Sequence, residues 1–226
     1  HHVVLYDVST HVTVSLTAGP GDMNPRIDGD IVVFERGTSG FADVIAYDLR
    51  SGIETAVTST TAAIELNPVV SGRRVVYERR SSQSTPGEIV VFDLDTALET
   101  VLGDSALDDR RPDIDGNLVV WDFKTAADDL DIAIPDLATG TTTVLTLAGN
   151  QRAAHVSGRV VVFDDDASGT ADVWMYHIDS GQRIPIGSGA ETEFLNDFSG
   201  GQIVYTSNAA GNFDIWLVEF EILSVD

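Results

Sequence analysis

Short runs of β-branched residues that end in an aromatic ring recur along the chain at nearly constant intervals. Each run follows a glycine, and these glycines are Gly29, Gly72, Gly116, Gly158 and Gly200, spaced 43, 44, 42 and 42 residues apart. The runs are Ile31–Phe34, Val75–Tyr77, Leu118–Trp121, Val160–Phe163 and Ile203–Tyr205. A strand-based unit that repeats every forty-odd residues is typical of a β-propeller or a related array.

Three further strands can be placed around each of these runs. The residue two positions before every glycine is apolar, which indicates a short buried strand that precedes a glycine turn. Segments such as DVIAYDL and EIVVFDL supply a third strand in each repeat, and the earlier repeats follow it with a turn and a weaker fourth strand, for example Glu54–Thr58. No helical periodicity competes with this pattern, so each repeat predicts four antiparallel strands, which is one propeller blade.

The predicted fold is therefore all-β, a five-bladed β-propeller of four-stranded antiparallel blades, with a six-bladed ring as the alternative. We expect one propeller domain over 1–226, with repeats near 22–64, 65–108, 109–150, 151–190 and 191–226. The segment 1–21 matches only strands three and four of a repeat, and we expect it to supply closing strands. In the five-bladed ring, 12–16 would pair beside 213–220 as an outer strand. The acid that follows the aromatic ring in four repeats is expected to begin a solvent-exposed loop.

The repeat unit resembles that of TolB-like β-propellers. The pattern acid-x-x-Pro occurs at Asp22–Pro25, Glu65–Pro68 and Asp109–Pro112, and Asp214-Ile215-Trp216 is similar to another motif of that family. The resemblance covers 1–220 and implies a secreted or periplasmic protein-binding module, in some cases attached to an envelope system or a hydrolase. A periplasmic or extracellular location is accordingly expected.

Composition narrows the partners that this fold could have. Asp and Glu outnumber Lys and Arg by 36 to 13, for a formal net charge of −23. Such a charge repels phosphate backbones, which excludes nucleic-acid binding by a basic surface, and it favours cations, basic proteins or peptides, or life in concentrated salt. No apolar run is long enough to span a bilayer as a helix, so we expect no membrane insertion. A monomer is expected.

The residue seven positions before each glycine is the first candidate for chemistry. It is Asp22, Glu65, Asp109, Gln151 or Glu193. In a propeller these positions lie at one mouth of the central channel, and a ring of carboxylates there would suit Ca²⁺, which prefers several oxygen ligands. The sequence therefore predicts a calcium site at Asp22, Glu65, Asp109 and Glu193. The alternative is that each acid accepts hydrogen bonds from the turn before its proline.

A second set of acids opens the third strand in all five repeats. Its members are Asp43, Glu88, Asp131, Asp172 and Asp214. A local turn or a bond to a neighbouring loop explains such a repeated acid. Both sets would make one face anionic, while Arg50, Arg73, Arg74 and Arg159 are predicted to lie at the opposite turns.

The position three residues before each glycine differs between repeats. Arg26, Asp113, His155 and Asp197 occupy it in four of them, and they form the predicted ligand or channel set. These residues could bind a polar ligand, or they could neutralise one another as ion pairs in the channel.

The favoured function is a non-enzymatic module that binds a protein or peptide, with Ca²⁺ as the candidate cofactor. One alternative is a propeller hydrolase that acts on glycans or peptides, or the propeller domain of such an enzyme. Another is a structural repeat module of a salt-adapted protein.

Overall fold

The chain forms six antiparallel sheets in a computed structural model, which describes residues 1–19, 21–38, 41–104, 106–125, 129–187 and 190–221. The strands are β1 (Val4–Asp7), β2 (Val12–Ser15), β3 (Asp22–Asp28), β4 (Ile31–Thr38), β5 (Phe41–Asp48), β6 (Ile53–Ala56), β7 (Ile64–Ser71), β8 (Arg74–Arg80), β9 (Glu88–Asp93), β10 (Leu98–Val101), β11 (Asp108–Asp115), β12 (Leu118–Lys124), β13 (Leu130–Asp136), β14 (Thr141–Leu145), β15 (Gln151–Ser157), β16 (Val160–Asp165), β17 (Asp172–His177), β18 (Gln182–Gly187), β19 (Glu193–Ser199), β20 (Gln202–Ser207) and β21 (Asp214–Glu219). No helix occurs in these residues, and accordingly none of them forms a helix able to cross a membrane.

Each predicted repeat contains one sheet. Sheets one to four are β3–β6, β7–β10, β11–β14 and β15–β18, and each has its four strands in sequence order. Sheet five is β19–β21 and has three strands in the part of the chain that the structure describes. The antiparallel four-stranded unit is confirmed, whereas the number of blades stays a prediction.

The N-terminal segment forms a hairpin of its own. Strand β1 pairs with β2, and Asp7 accepts hydrogen bonds from the backbone N–H groups of Ser9 and Thr10. Asp48 closes the equivalent turn of sheet one in the same way, so the hairpin has the form of strands three and four. Strand β2 pairs with β1, and β21 pairs with β20, while the pairing of 12–16 beside 213–220 stays a prediction. Residues 222–226, which also bear on closure, lie outside the described residues.

The chain divides into two compact units, His1–Pro112 and Asp113–Asp226. In the first unit, alternate residues of β4 pack in opposite directions. Ile31 and Val33 join a core with sheet two, whereas Val32 and Phe34 pack toward Val3 of the N-terminal hairpin. In the second unit, β16 is likewise covered on both faces by apolar side chains. This burial on two faces explains why the second strand of each repeat is a continuous apolar run.

The aromatic ring that ends each run is buried in all five repeats, as the repeat pattern requires. Tyr77, Phe163 and Tyr205 each pack into the core that their sheet shares with the preceding one. Gly29 and its four equivalents adopt positive φ angles between 54° and 59°, which explains the glycine at this turn.

Candidate functional site

In each of sheets one to five, strands one and three begin at the end where strand two finishes, and we call this the carboxylate end. The five residues of the predicted mouth set lie there, and all five are buried: Asp22, Glu65, Asp109, Gln151 and Glu193. The partners of these residues differ from repeat to repeat. These differences determine which chemistry each carboxylate end can support.

In sheet one, an arginine from strand two lies between carboxylates. Arg36 Nε donates to Asp22 Oδ1 at 2.7 Å, and Arg36 Nη1 donates to Glu54 Oε2 on β6, also at 2.7 Å. Burial favours the neutral form of Asp22, but the bonds from Arg36 outweigh it and hold the pKa of Asp22 below its usual value. The acid of this repeat is thus fully paired.

Sheet two also has an arginine at this position, but the arginine pairs with strands three and four rather than with the mouth acid. Arg79 occupies the position of Arg36, and it donates to Glu88 on β9 at 2.8 Å and to Glu99 on β10 at 2.9 Å. Glu65 instead accepts hydrogen bonds from the hydroxyl groups of Thr58 and Thr60. Burial, together with the charge of Asp43, raises the pKa of Glu65.

Asp109 of the third repeat is held by the turn that precedes it. Its Oδ2 accepts a hydrogen bond from the backbone N–H of Asp104 at 2.7 Å. A Cβ atom at Gly103 would clash with the same oxygen, so the turn passes directly over the carboxylate. For this residue the structure matches the local alternative, in which the acid accepts bonds from its own turn.

Sheet four reverses the charges of sheets one and two. Asp165 on β16 takes the position of Arg36, and Arg183 on β18 takes the position of Glu54. Arg183 Nη1 lies 3.7 Å from Asp165 Oδ2, and the guanidinium carbon lies 4.9 Å from the centre of the Trp174 ring. A cavity of about 170 Å³ opens here, lined by Leu147, Ala148, Asp165, Ala167, Ser168, Asp172, Trp174 and Arg183.

Several buried oxygens of the second unit have no hydrogen-bond partner. They are Asp131 Oδ1, Gln151 Oε1, Asp172 Oδ1 and Glu193 Oε2. Glu193 accepts from the hydroxyl of Ser207 through its other oxygen, and burial together with the charge of Asp172 raises the pKa of Glu193. Within the described ranges, however, no group of three or more His, Asp or Glu side chains is arranged to hold a metal ion. The calcium site at Asp22, Glu65, Asp109 and Glu193 stays a prediction.

Three members of the predicted channel set come together in the second unit. His155 Nδ1 lies 3.6 Å from Asp113 Oδ2 and 3.8 Å from Asp197 Oδ1. Asp113 also accepts a hydrogen bond from the backbone N–H of Val156 at 2.9 Å. Arg26, the fourth member, belongs to the first unit, is exposed, and donates to the carbonyl of Pro25. Whether the set binds a ligand stays a prediction.

Sequence reasoning missed the role of the acid that follows the aromatic ring. Glu35, Glu78, Asp122 and Asp164 were expected to begin exposed loops, and this is wrong, because all four are buried inside the sheets. Each accepts a hydrogen bond from the backbone N–H two residues after the mouth position of the next repeat. The donors are Asn67 at 2.8 Å, Arg111 at 3.2 Å, Ala153 at 3.4 Å and Leu195 at 2.7 Å, in that order.

We call these four carboxylates the latch acids. Three of the four donors, Asn67, Arg111 and Ala153, have positive φ angles near 50°, which costs a residue other than glycine about 1–2 kcal/mol. The charged hydrogen bond offsets this cost. The recognisable signal was an acid repeated at fixed register directly after a buried aromatic ring.

The opposite end of the sheets also links successive repeats. Asp28 accepts from the N–H of Gly72 at 2.7 Å, and Asp115 accepts from that of Gly158 at 2.6 Å. Arg73 and Arg159 lie at this end, as predicted, and pair with acids of the turns. The predicted separation of charge is incomplete, because Arg36, Arg79 and others neutralise acids at the carboxylate end.

No protein-family model matches this sequence, and no curated protein sequence matches it either. Solved structures do match the fold. TolB from Acinetobacter baumannii superimposes with a TM-score of 0.62 at 16% identity, over 95% of this chain and 58% of that chain. A putative TolB from Agrobacterium tumefaciens gives 0.67 at 17% identity, over 95% of this chain and 83% of that one.

An enzyme is also similar in fold. Pyrococcus horikoshii acylaminoacyl peptidase superimposes with a TM-score of 0.71 at 12% identity, and the match covers 96% of this chain but only 40% of the peptidase. At these identities the likeness establishes the fold. The expected likeness to TolB-like β-propellers is thus confirmed at the level of the fold.

Proposed function

We propose that this chain is a non-enzymatic β-propeller module that binds a basic protein or peptide at the carboxylate ends of its sheets. The fold hosts many functions, so the proposal is based on the chemistry of the side chains rather than on the fold alone.

The observation that carries the proposal is how the chain uses its few cations. Arg36, Arg79 and Arg159 each bridge two carboxylates of the chain itself. Cations that are bound internally are not available to an acidic partner, whereas the excess of acids still gives the net charge of −23. The resulting field attracts basic surfaces and accelerates their association.

A second candidate is the propeller domain of a larger hydrolase. It is favoured by the similarity to the acylaminoacyl peptidase, of which this chain spans 40%. On either reading the chain would work outside the cytoplasm, as the TolB-like resemblance implies, and as a monomer.

Binding to peptides of opposite charge tests the proposed function. A fluorescent Arg/Lys-rich peptide should bind, its affinity should fall steeply as salt rises, and an Asp/Glu-rich peptide of equal length should not bind. Equal binding of both peptides would contradict the proposal. Turnover of a peptide or glycan substrate that an alanine substitution abolishes would instead establish the hydrolase.

The calcium prediction has its own test. Bound Ca²⁺ must raise the melting temperature, and a chelator must reverse the rise. Glu65→Gln and Asp109→Asn should each weaken the effect. If both variants retain the rise in melting temperature, Ca²⁺ binds elsewhere on the chain. If the wild type shows no rise, the predicted calcium site does not exist. Stability that collapses at low salt, whatever the divalent ion, would favour a salt-adapted structural module.

A further inference from the structure

The third strand of sheet five exposes residues whose equivalents are buried in the other sheets. The residue after the strand-three acid is fully buried in sheets one to four, where it is Val44, Ile89, Ile132 or Val173. Its equivalent in β21 is Ile215, which is 77% exposed. Trp216 and Leu217 are exposed as well, so this strand presents apolar side chains on both of its faces. Exposed apolar residues that cluster in this way mark a candidate interaction surface.

Strand β21 also has an open edge. Among the described residues it pairs only with β20, whereas the third strand of each of sheets one to four pairs with a fourth strand as well. In sheet one, the N–H of Val44 donates to Thr58 Oγ1 at 2.8 Å, and its carbonyl accepts from the N–H of Val57 at 2.9 Å. Because Ile215 has the register of Val44, its N–H and carbonyl groups point out of the open edge. Such an edge can take up one more strand.

The fifth repeat carries acids but no cation of its own. The last of the 13 Lys and Arg residues in the sequence is Arg183. The acids that follow it are Glu191, Glu193, Asp197, Asp214, Glu219, Glu221 and Asp226. Asp214 and Glu219 lie at the two ends of β21 and are exposed, and Glu219 accepts a hydrogen bond from the neutral amide of Gln202 at 2.6 Å. This charge favours a partner strand that is basic at both ends.

Sheet four shows what a strand at this edge contributes. Trp174 and Trp216 are equivalent, since each is the second residue after its strand-three acid. In sheet four, Arg183 on the fourth strand lies opposite Tyr176, and its guanidinium carbon is 4.9 Å from the centre of the Trp174 ring. The residue equivalent to Tyr176 is Val218. An arginine opposite Val218 would therefore reach the exposed Trp216 ring in the same way.

We propose that β21 binds an extended segment of a basic partner, which pairs with it as the fourth strand of sheet five. The pairing is antiparallel, as for the fourth strands of the other sheets. Apolar residues of the partner lie opposite Ile215 and Leu217, an arginine lies opposite Val218, and cations lie opposite Asp214 and Glu219. The inference rests on the proposed function for the basic character of the partner, and it adds the strand and the register.

The experiment is an NMR titration of the full chain with the capped peptide KRITIK, whose residues in order would lie opposite positions 219 to 214. We expect saturable binding that weakens as the concentration of NaCl rises. The peptide IIKRTK has the same composition and charge but lacks the alternation of apolar and polar residues. It should bind about tenfold more weakly, because its side chains do not match those of β21. Equal binding of the two peptides would contradict the proposed register.

Two variants locate the binding surface. Ile215→Lys should abolish binding of KRITIK, because it removes an apolar contact and repels the cations of the peptide. The control is Ile53→Lys, which makes the same change at an exposed isoleucine of β6 in the complete sheet one and should leave binding unchanged. Trp216→Leu keeps an apolar residue but removes the aromatic ring, and it should weaken binding about threefold.

Hydrogen exchange tests whether the peptide pairs as a strand. The backbone amides of Ile215 and Leu217 should exchange more slowly when the peptide is bound. No slowing at saturation would overturn strand pairing. Slow exchange in the free monomer would show that a strand of the chain itself, such as the predicted 12–16, already holds the edge. Self-association of the chain that Ile215→Lys abolishes would make a second copy the occupant, and either result would overturn the proposal.

The same peptides separate this inference from the proposed function. If KRITIK binds the wild type and Ile215→Lys equally well, the assignment to β21 fails and the proposed function stands. If the acidic peptide EEITIE slows exchange at Ile215 and Leu217 as strongly as KRITIK does, the edge takes up strands but the basic partner and the proposed function fail. If no basic peptide binds, both fail.

Discussion

At the carboxylate ends of sheets one and four, equivalent positions on strands two and four carry opposite charges. In sheet one, Arg36 on the second strand pairs with Asp22 and with Glu54 on the fourth. In sheet four, the second strand carries Asp165 and the fourth carries Arg183, and a cavity opens with buried acceptors left unpaired. One repeated backbone therefore accommodates either a closed ion-pair network or an open polar site. The choice depends on where the chain places one arginine.

The largest effect should come from removing the arginine of the closed network. Arg36→Met leaves the buried Asp22 without its ion-pair partner, which should cost about 2–3 kcal/mol of unfolding free energy, somewhat less than for a fully buried pair because Arg36 is a third exposed. Urea unfolding at neutral pH measures this loss.

Arg183→Met is the matched change in the open site. It should cost less than about 1 kcal/mol, because Asp165 keeps its bonds to Gln151 and to the N–H of Ala167. Equal losses in the two variants would show that the two carboxylate ends do not differ energetically.

Glu193→Gln should stabilise the chain at neutral pH by about 1 kcal/mol, because the buried Glu193 then no longer has to ionise beside Asp172. The pKa of Glu193 is raised in the folded state above its ordinary value of 4.5. Its contribution to stability is therefore present below that value and is lost as pH rises through the folded pKa. Stability measured from pH 4 to pH 8 should fall less steeply in the variant.

The contribution of Asp22 to folding stability should depend on pH in the opposite direction. Its folded pKa is lowered, so its contribution is present above its ordinary value of 3.8 and is lost as pH falls through the folded pKa. Asp22→Asn should therefore destabilise the protein at neutral pH and have less effect in acid. A parallel pH dependence for Glu193→Gln and Asp22→Asn would contradict the assigned partners.

The smallest effect is expected from closing the open site. Asp165→Arg with Arg183→Glu should raise the melting temperature by the equivalent of about 0.5–1 kcal/mol, because the new arginine supplies donors where acceptors lacked them. The single change Asp165→Arg serves as the comparison, since it places two arginines together and should not raise the melting temperature. A double variant that melts below the wild type would show that the registers are not interchangeable.

The repeated strands and their apolar faces could be predicted from the sequence, because burial on two faces imposes the same residue types on every repeat. Phe34, Tyr77 and Phe163 therefore share one register, which the structure buries in full. The partners of the acids could not be predicted. Asp22 and Glu193 occupy the same repeat position, yet one pKa is lowered and the other raised, since their neighbours on the next strand are Arg36 and Ser207.

The latch acids form a clear pattern in the sequence, but the pattern alone gives the wrong environment for them. Glu35 directly follows a buried aromatic ring, where a charged residue ordinarily marks the exit of a strand into water. Its actual partner, the N–H of Asn67, is 32 residues away in the sequence. A pairing between repeats of this kind becomes visible only when neighbouring sheets are stacked.

The latch acids also give the series of repeats a direction. Repeats two, three and four each carry an acceptor for the next repeat and a donor for the previous one, so a copy of any of them would arrive with both halves of its connections. Duplication could thus lengthen the array without redesigning any junction. The fifth repeat has no latch acid, because Thr206 occupies that position. The hydroxyl of Thr206 donates a hydrogen bond to Asn196 of the same sheet. Extending the array beyond that repeat would require restoring a carboxylate there.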